Sequence, residues 1–299
     1  MLYARAIQRL TTICATFNSK LGLRNQIVIV NGFSRTGTTF LSRLITELFS
    51  FKEVFEPLDT AYNYECAHSF FEGVNTAIDR RWYYYQPKNS TFIHRINEGK
   101  LPSISFSDYE MFRNRSGKHL LFPSQFCIKL CNAHAILDKI NCPVIHIYRD
   151  SLETIDSIIN SFDWGKELLQ LDHSAIWKSA DLKIQLDPVL EECLEDDDKI
   201  ISLSALQCSL DIVAAHQLKN GLMVHYSDLL DFPEKTLSKI ALVLNKDLKS
   251  DLLFKQMDIP SGTTVKGRLK TNFTDHQEKT LRELTSIRDD YIQAIHPRL

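Results

Sequence analysis

Residues 26–48 constrain this chain most. The run QIVIV is short, apolar and rich in β-branched residues, and it leads into Asn31-Gly32. It reads as a buried parallel strand. TTFLSRLITELF follows, with Phe40, Leu41, Leu44, Ile45 and Leu48 at helical spacing. Between them lies GFSRTG, with two glycines, small hydroxyl residues and one arginine. Strand, glycine loop and helix in that order commit this part of the chain to an α/β sheet. They also leave the N–H groups and partial positive charge of a helix N-terminus available to an anion.

The loop differs from the triphosphate pattern G-x-x-x-x-G-K-[ST], because Thr38 stands at the lysine position. The nearest cation is Arg35, inside the loop. An arginine fork suits a single oxyanion, whereas a triphosphate with Mg²⁺ would lack its usual lysine. Gly32 and Gly37 are expected to bring backbone close to the ligand, with Thr38 and Thr39 adding hydroxyl donors.

A second strand, FKEVFEP, stops at Pro57. Residues 59–122 are rich in aromatics (RRWYYYQP at 80–87) with no clean period, and read as short helices and loops over an acceptor pocket. Order returns at 126. FCIKLC and PVIHIYRD read as strands joined by a helical NAHAILDKI, and SLETIDSIINSF as a helix with Asp150 and Glu153 at capping-box spacing. LEECLEDDDK is expected to be a solvated loop or helix edge. SALQCSLDIVAAHQL reads as a helix and GLMVH as a last strand. PEKTLSKIALVL follows as a helix with Pro233 in its first turn, and TDHQEKTLRELTSIRDDYIQAI closes the chain. The expected fold is α/β: an open parallel sheet with helices on both faces, in one domain over 1–299.

IYRDSLETIDS supplies a second anion feature. It places Arg149 at the carboxyl end of a strand, the edge where open α/β sheets bind ligands, and Ser157 two turns into the next helix. Ser151, Thr154 and Ser157 fall roughly along one side of that helix. One loop for one phosphate and an Arg/Ser pair for another imply a ligand with two separated phosphate groups.

Together these segments resemble the sulfotransferases that use 3′-phosphoadenosine 5′-phosphosulfate (PAPS), whose fold is P-loop nucleotide-hydrolase-like. GFSRTGTT is similar to their G-x-P-R-[ST]-G-T-T loop, and RDSLETIDS to their R-[DN]-P-x(5)-S segment. EVFEPLD resembles the EP segment of carbohydrate-type members, and VHYSDLLDFPEKTLSKIALVLN their YEDL strand and helix. The likeness runs from about 26 to 248, apart from 59–122. Ser34 and Ser151 stand where the family usually has proline.

The resemblance implies a set of roles. Ser34, Arg35, Thr36, Gly37, Thr38 and Thr39 would hold the 5′-phosphosulfate, with Arg35 stabilising the leaving oxygen. Arg149 and Ser157 would hold the 3′-phosphate, and Lys266 and Arg268, in TTVKGRLK, would reach the nucleotide. Glu56 is the expected general base and His134 the alternative, with Lys129 facing the transferred group. The product would be adenosine 3′,5′-bisphosphate, and no metal is expected. The acceptor is expected to be a carbohydrate or similar alcohol.

The net charge of −2 gives no reason to expect a nucleic-acid partner. Seven scattered cysteines without a C-x-x-C motif read as free thiols in a reducing compartment, and a cytoplasmic location is expected. Residues 1–25 are expected to hold an amphipathic helix packed on the domain; contact of 1–17 with a membrane surface is the lesser alternative. Two other functional classes stay open: a P-loop nucleotide kinase, and a non-catalytic nucleotide-binding relative.

Overall fold

The computed structural model describes residues 26–55, 94, 96–99, 125–160, 168–179, 182–248 and 269–296. The N-terminal segment, Glu56, most of the aromatic insertion, Lys266 and Arg268 lie outside the described residues.

Five parallel strands form one sheet in the order β2-β3-β1-β4-β5. They are β1 (Gln26–Gly32), β2 (Lys52–Phe55), β3 (Gln125–Lys129), β4 (Val144–Tyr148) and β5 (Gly221–His225). β1 is central. It pairs with β3 from Gln26↔Gln125 to Val30↔Lys129, and with β4 from Ile29↔Val144 to Gly32↔Ile147. The helices in chain order are α1 (Thr38–Leu48), α2 (Ser151–Ile159), α3 (His173–Ser179), α4 (Pro188–Leu194) and α5 (Lys199–Gln217). They continue with α6 (Tyr226–Asp231), α7 (Pro233–Leu244) and α8 (Asp275–Ile295).

Strand alternation divides the core in two. Ile27, Ile29, Phe126 and Ile128 pack against Ile136, Leu137 and Ile140 and the end of α5. Val28, Val30, Ile145 and Ile147 pack against α1 and α7 through Leu41, Ile45, Leu237 and Ile240. Helices therefore cover both faces, as the alternating pattern predicts. Beyond the first face, α2 to α5 and α8 share a further helical core. α5 is buried without interruption from Ile201 to Ala215, so it serves as a central pillar rather than an amphipathic surface helix.

Some expectations shift in detail. The β3–β4 crossover is a 3₁₀ helix over His134–Lys139, a tighter six-residue turn suited to so short a connection. Only part of LEECLEDDDK is loop; its first half is α4, capped by Asp187. Asp150 does cap α2 by accepting from the Glu153 N–H, but no reciprocal box forms, because the Glu153 carboxylate turns to Arg149. Among the described residues no helix is long and apolar enough to cross a membrane.

Candidate functional site

Because all five strands are parallel, the segments after β1, β3, β4 and β5 emerge at one edge, around the point where the connections diverge on either side of β1. The loop after β1 is tightly turned. Arg35 has φ 72° and Gly37 φ 105°. The Thr36 N–H and hydroxyl both return to the Phe33 carbonyl, so this threonine closes the loop from inside. The Ser34 N–H donates to Asn132 Oδ1 at 3.2 Å, joining the loop to the segment after β3.

The glycines are required by the protein's own packing as well. A Cβ on Gly32 would lie 2.5 Å from the Ile147 carbonyl, and one on Gly37 would lie 2.6 Å from the Tyr226 ring. The first bond of α1 runs from the Leu41 N–H to the Gly37 carbonyl, so the N–H groups of Thr38, Thr39 and Phe40 precede it without helical acceptors. Thr38 is buried with its hydroxyl 3.6 Å from Cys131 Sγ, and Thr39 is half-buried on the first turn.

Arg35 reaches out of the loop, and its Nε donates to Ser157 Oγ at 3.1 Å. This contact joins the two segments singled out in the sequence, so the two anion features are contiguous rather than set apart. Burial lowers the Arg35 pKa, and the nearby positive charge of Arg149 lowers it further. Among the described residues Arg35 has no carboxylate partner. Arg149 donates through Nε to Glu153 at 2.7 Å, and its guanidinium carbon lies 4.5 Å from the centre of the Tyr226 ring. Two guanidinium groups close enough for their charges to interact, one of them on the loop that leads into α1, make a site whose charge an anion would offset.

Ser151 and Thr154 do not share this mouth. Ser151 Oγ donates to Gln207, and the Thr154 hydroxyl donates to the Asp150 carbonyl. The Ser151 N–H donates to Thr285 Oγ1, a bond that proline at this position would forgo. Lys129 ends β3, almost wholly buried and paired in register with Val30 and Phe55. His134 is fully buried, and neither ring nitrogen has a hydrogen-bond partner. Burial pushes its pKa down to about 4. Glu56 directly follows the last described residue of β2. Lys270, the last residue of TTVKGRLK, and Thr271 donate their N–H groups to Asp156 Oδ1 at 2.9 and 2.7 Å, which ties that segment's end to α2 beside Ser157.

Sequence reasoning missed Asn132, Asp156 and Tyr226. Tyr226 carried a signal as an aromatic directly after the last strand. Asn132 and Asp156 act through contacts about a hundred residues away in sequence, which no local pattern encodes.

His134, His146 and Asp211 form the other polar cluster, with one potential ligand atom from each within 4.8 Å of the others. The hydrogen bonds around His146 settle its chemistry. The Ala133 N–H donates to Asn31 Oδ1, which turns Asn31 Nδ2 towards His146 Nδ1 at 3.0 Å. Nδ1 therefore accepts, and Nε2 carries the proton and donates to Asp211 Oδ1 at 2.9 Å. A metal ion would need that nitrogen bare and would sit beside the buried Arg288, 3.3 Å from Asp211 Oδ2. His146 and Asp211 are committed to each other by a hydrogen bond, with His134 Nε2 3.7 Å from the same carboxylate oxygen, and this arrangement does not fit a metal.

No protein-family model and no curated protein sequence matches the chain significantly. Solved structures do match. A sulfotransferase domain from the curacin biosynthetic pathway is 12% identical, with TM-score 0.41, over 87% of this chain and 98% of that one. Mouse sulfotransferase SULT7A1 complexed with PAP is 12% identical, with TM-score 0.41, over 95% and 94%. A sulfotransferase domain from the Synechococcus PCC 7002 olefin synthase is 14% identical, with TM-score 0.43, over 93% and 96%. All three are sulfotransferases or domains of that kind. At such distances the functional assignment rests on the residues of the site.

Proposed function

We propose that this chain transfers a sulfuryl group from PAPS to an acceptor hydroxyl on a carbohydrate or similar alcohol. The observation that carries this reading is the 3.1 Å bond from Arg35 Nε to Ser157 Oγ, with Arg149 alongside. It makes one cationic mouth from the two segments whose sequences match the two phosphate motifs.

In this reading the N–H groups of the loop and of the start of α1, with Arg35, Thr38 and Thr39, hold the 5′-phosphosulfate. Arg149 and Ser157 hold the 3′-phosphate, and Lys266 and Arg268 close over the nucleotide. The acceptor oxygen forms a bond to sulfur as the sulfur–oxygen bond to the nucleotide phosphate breaks. Glu56 takes the hydroxyl proton, and Arg35 stabilises charge on the departing oxygen. Lys129 lies on the strand beside β1 and faces the transferred group. His134 is the second candidate base, and its buried setting ranks it below Glu56. A kinase would need a cation where the buried Thr38 faces Cys131, so that reading is not favoured.

The test is turnover with radiolabelled PAPS, without metal, across sugars and simple alcohols. Arg35→Ala is expected to lower the rate about a hundredfold or more, and Glu56→Gln about as much. Label transfer that survives both substitutions, or Mg²⁺-dependent phosphoryl transfer from ATP in its place, contradicts the proposal.

A further inference from the structure

Arg149 sits at the end of β4, and its backbone is gripped from behind. Its carbonyl oxygen accepts two bonds, from Arg288 Nη1 at 2.7 Å and from Gln207 Nε2 at 3.1 Å. Both donors come from remote elements, α8 and α5, and both residues are wholly buried.

Each donor is itself held in one orientation. Gln207 Oε1 accepts from Ser151 Oγ at 2.9 Å, and that hydroxyl accepts from Ser204 Oγ at 2.8 Å, so the amide cannot turn without losing a bond. Arg288 holds Asp289 Oδ1 through Nε and Nη2, at 2.9 and 2.8 Å. Its Nη1 faces Asp211 Oδ2 at 3.3 Å, and its guanidinium carbon lies 5.1 Å from the Tyr148 ring centre. Asp211 continues through His146 and Asn31 to the Ala133 N–H. One unbroken chain of contacts thus runs from the segment after β3, through the residue before Gly32, to the carbonyl of Arg149.

We propose that Arg288 and Gln207 are positioning residues for the 3′-phosphate site: by fixing the Arg149 carbonyl they set where its guanidinium stands relative to Arg35. This inference rests on the donor-binding reading above. Among the described residues the side chain of Arg149 is steered by Glu153, the Tyr226 ring and the charge of Arg35. Its direction therefore depends on the backbone from which it projects. Neither Arg288 nor Gln207 touches the ligand in this account. Their effect should appear in discrimination between ligands, not in general affinity.

The experiment compares adenosine 3′,5′-bisphosphate with AMP, which lacks the 3′-phosphate. Both are titrated calorimetrically into wild type, Arg149→Ala, Gln207→Met and Arg288→Lys, with thermal unfolding followed in parallel. Gln207→Met keeps the volume and removes the donor; Arg288→Lys keeps the cation beside Asp211 and shortens its reach. The preference for the bisphosphate is expected to fall about three- to tenfold in each, the worth of one hydrogen bond. Affinity for AMP is expected to hold within about twofold. Should Arg288→Lys fail to fold, Gln207→Met decides alone. Folded variants that keep the wild-type preference, or that lose both ligands equally, overturn the inference and leave the donor reading intact. A wild type without preference, or one that Arg149→Ala does not alter, overturns the donor reading itself and this inference with it.

Discussion

Arg288 is wholly buried, and its guanidinium finds Asp211, Asp289 and the Arg149 carbonyl within 3.3 Å. Arg35, on the loop after β1, finds one serine hydroxyl and the repulsion of a second arginine. The two residues have the same chemistry and opposite settlements. Folding brings Arg288 its counter-charges from the chain itself. At Arg35 the described chain supplies donors and positive charge without a carboxylate, and that is how a protein leaves room for an external anion. What sets Arg35 apart from Arg288 is the lack of a carboxylate partner among the described residues, not exposure alone.

The largest contrast should appear in stability. Asp211→Ala leaves Arg288 buried with less compensation and is expected to cost about 3–5 kcal/mol in denaturant unfolding. Arg35→Ala is expected to stay within about 1 kcal/mol of wild type, since it removes a repulsion along with one hydrogen bond to a neutral acceptor. Equal losses would erase the distinction drawn between the two arginines.

The buried side should also answer to acid. Burial lowers the pKa values of His134 and His173 from 6.5 to about 4. Above pH 6.5 both are neutral folded or unfolded, and their contribution is fully present. As pH falls towards 4 the unfolded chain takes up protons that the folded chain refuses, so stability drops, by roughly 3 kcal/mol per histidine at the limit. Unfolding midpoints from pH 7 to 4 check this, and His134→Phe should flatten the slope. A flat wild-type profile would contradict the burial argument.

Smaller effects sharpen the loop side. Gly32→Ala sets a Cβ 2.5 Å from the Ile147 carbonyl, so β1 and β4 must part, at a cost of about 1–3 kcal/mol. Differential scanning calorimetry reads that loss, and an unchanged midpoint would mean that the loop yields freely. Glu153→Gln removes the carboxylate that competes for Arg149. It is expected to raise affinity for adenosine 3′,5′-bisphosphate about twofold, the worth of a partly exposed i,i+4 ion pair. A fall in affinity would instead give Glu153 a steering role.

The strand, loop and helix of residues 26–48 were legible because periodicity and glycine placement are local properties. The same holds for α7, which spans Pro233–Leu244 as the sequence pattern predicts. Arg149 and Ser157 were legible as a spacing, yet their meeting with Arg35 depends on β1 and β4 being neighbours, which is a tertiary fact. Nothing around Arg288 announces that its partners lie 77 and 139 residues away. A buried ion network is written in pairs of distant residues, and a single sequence shows only one half of each pair at a time. His134 illustrates the converse: residue type and position suggest a base, and the fold buries it completely.

The central claim is that Arg35 and Arg149 form one site for a nucleotide bearing a 3′-phosphate. Calorimetric titration of adenosine 3′,5′-bisphosphate against ADP, and against ATP with Mg²⁺, tests it most directly, on wild type and Arg149→Ala. The account predicts that the bisphosphate binds at least about tenfold more tightly than ADP, an advantage of one charge-assisted contact or more that Arg149→Ala removes. Tighter binding of ATP with Mg²⁺, or equal binding of bisphosphate and ADP, would contradict it.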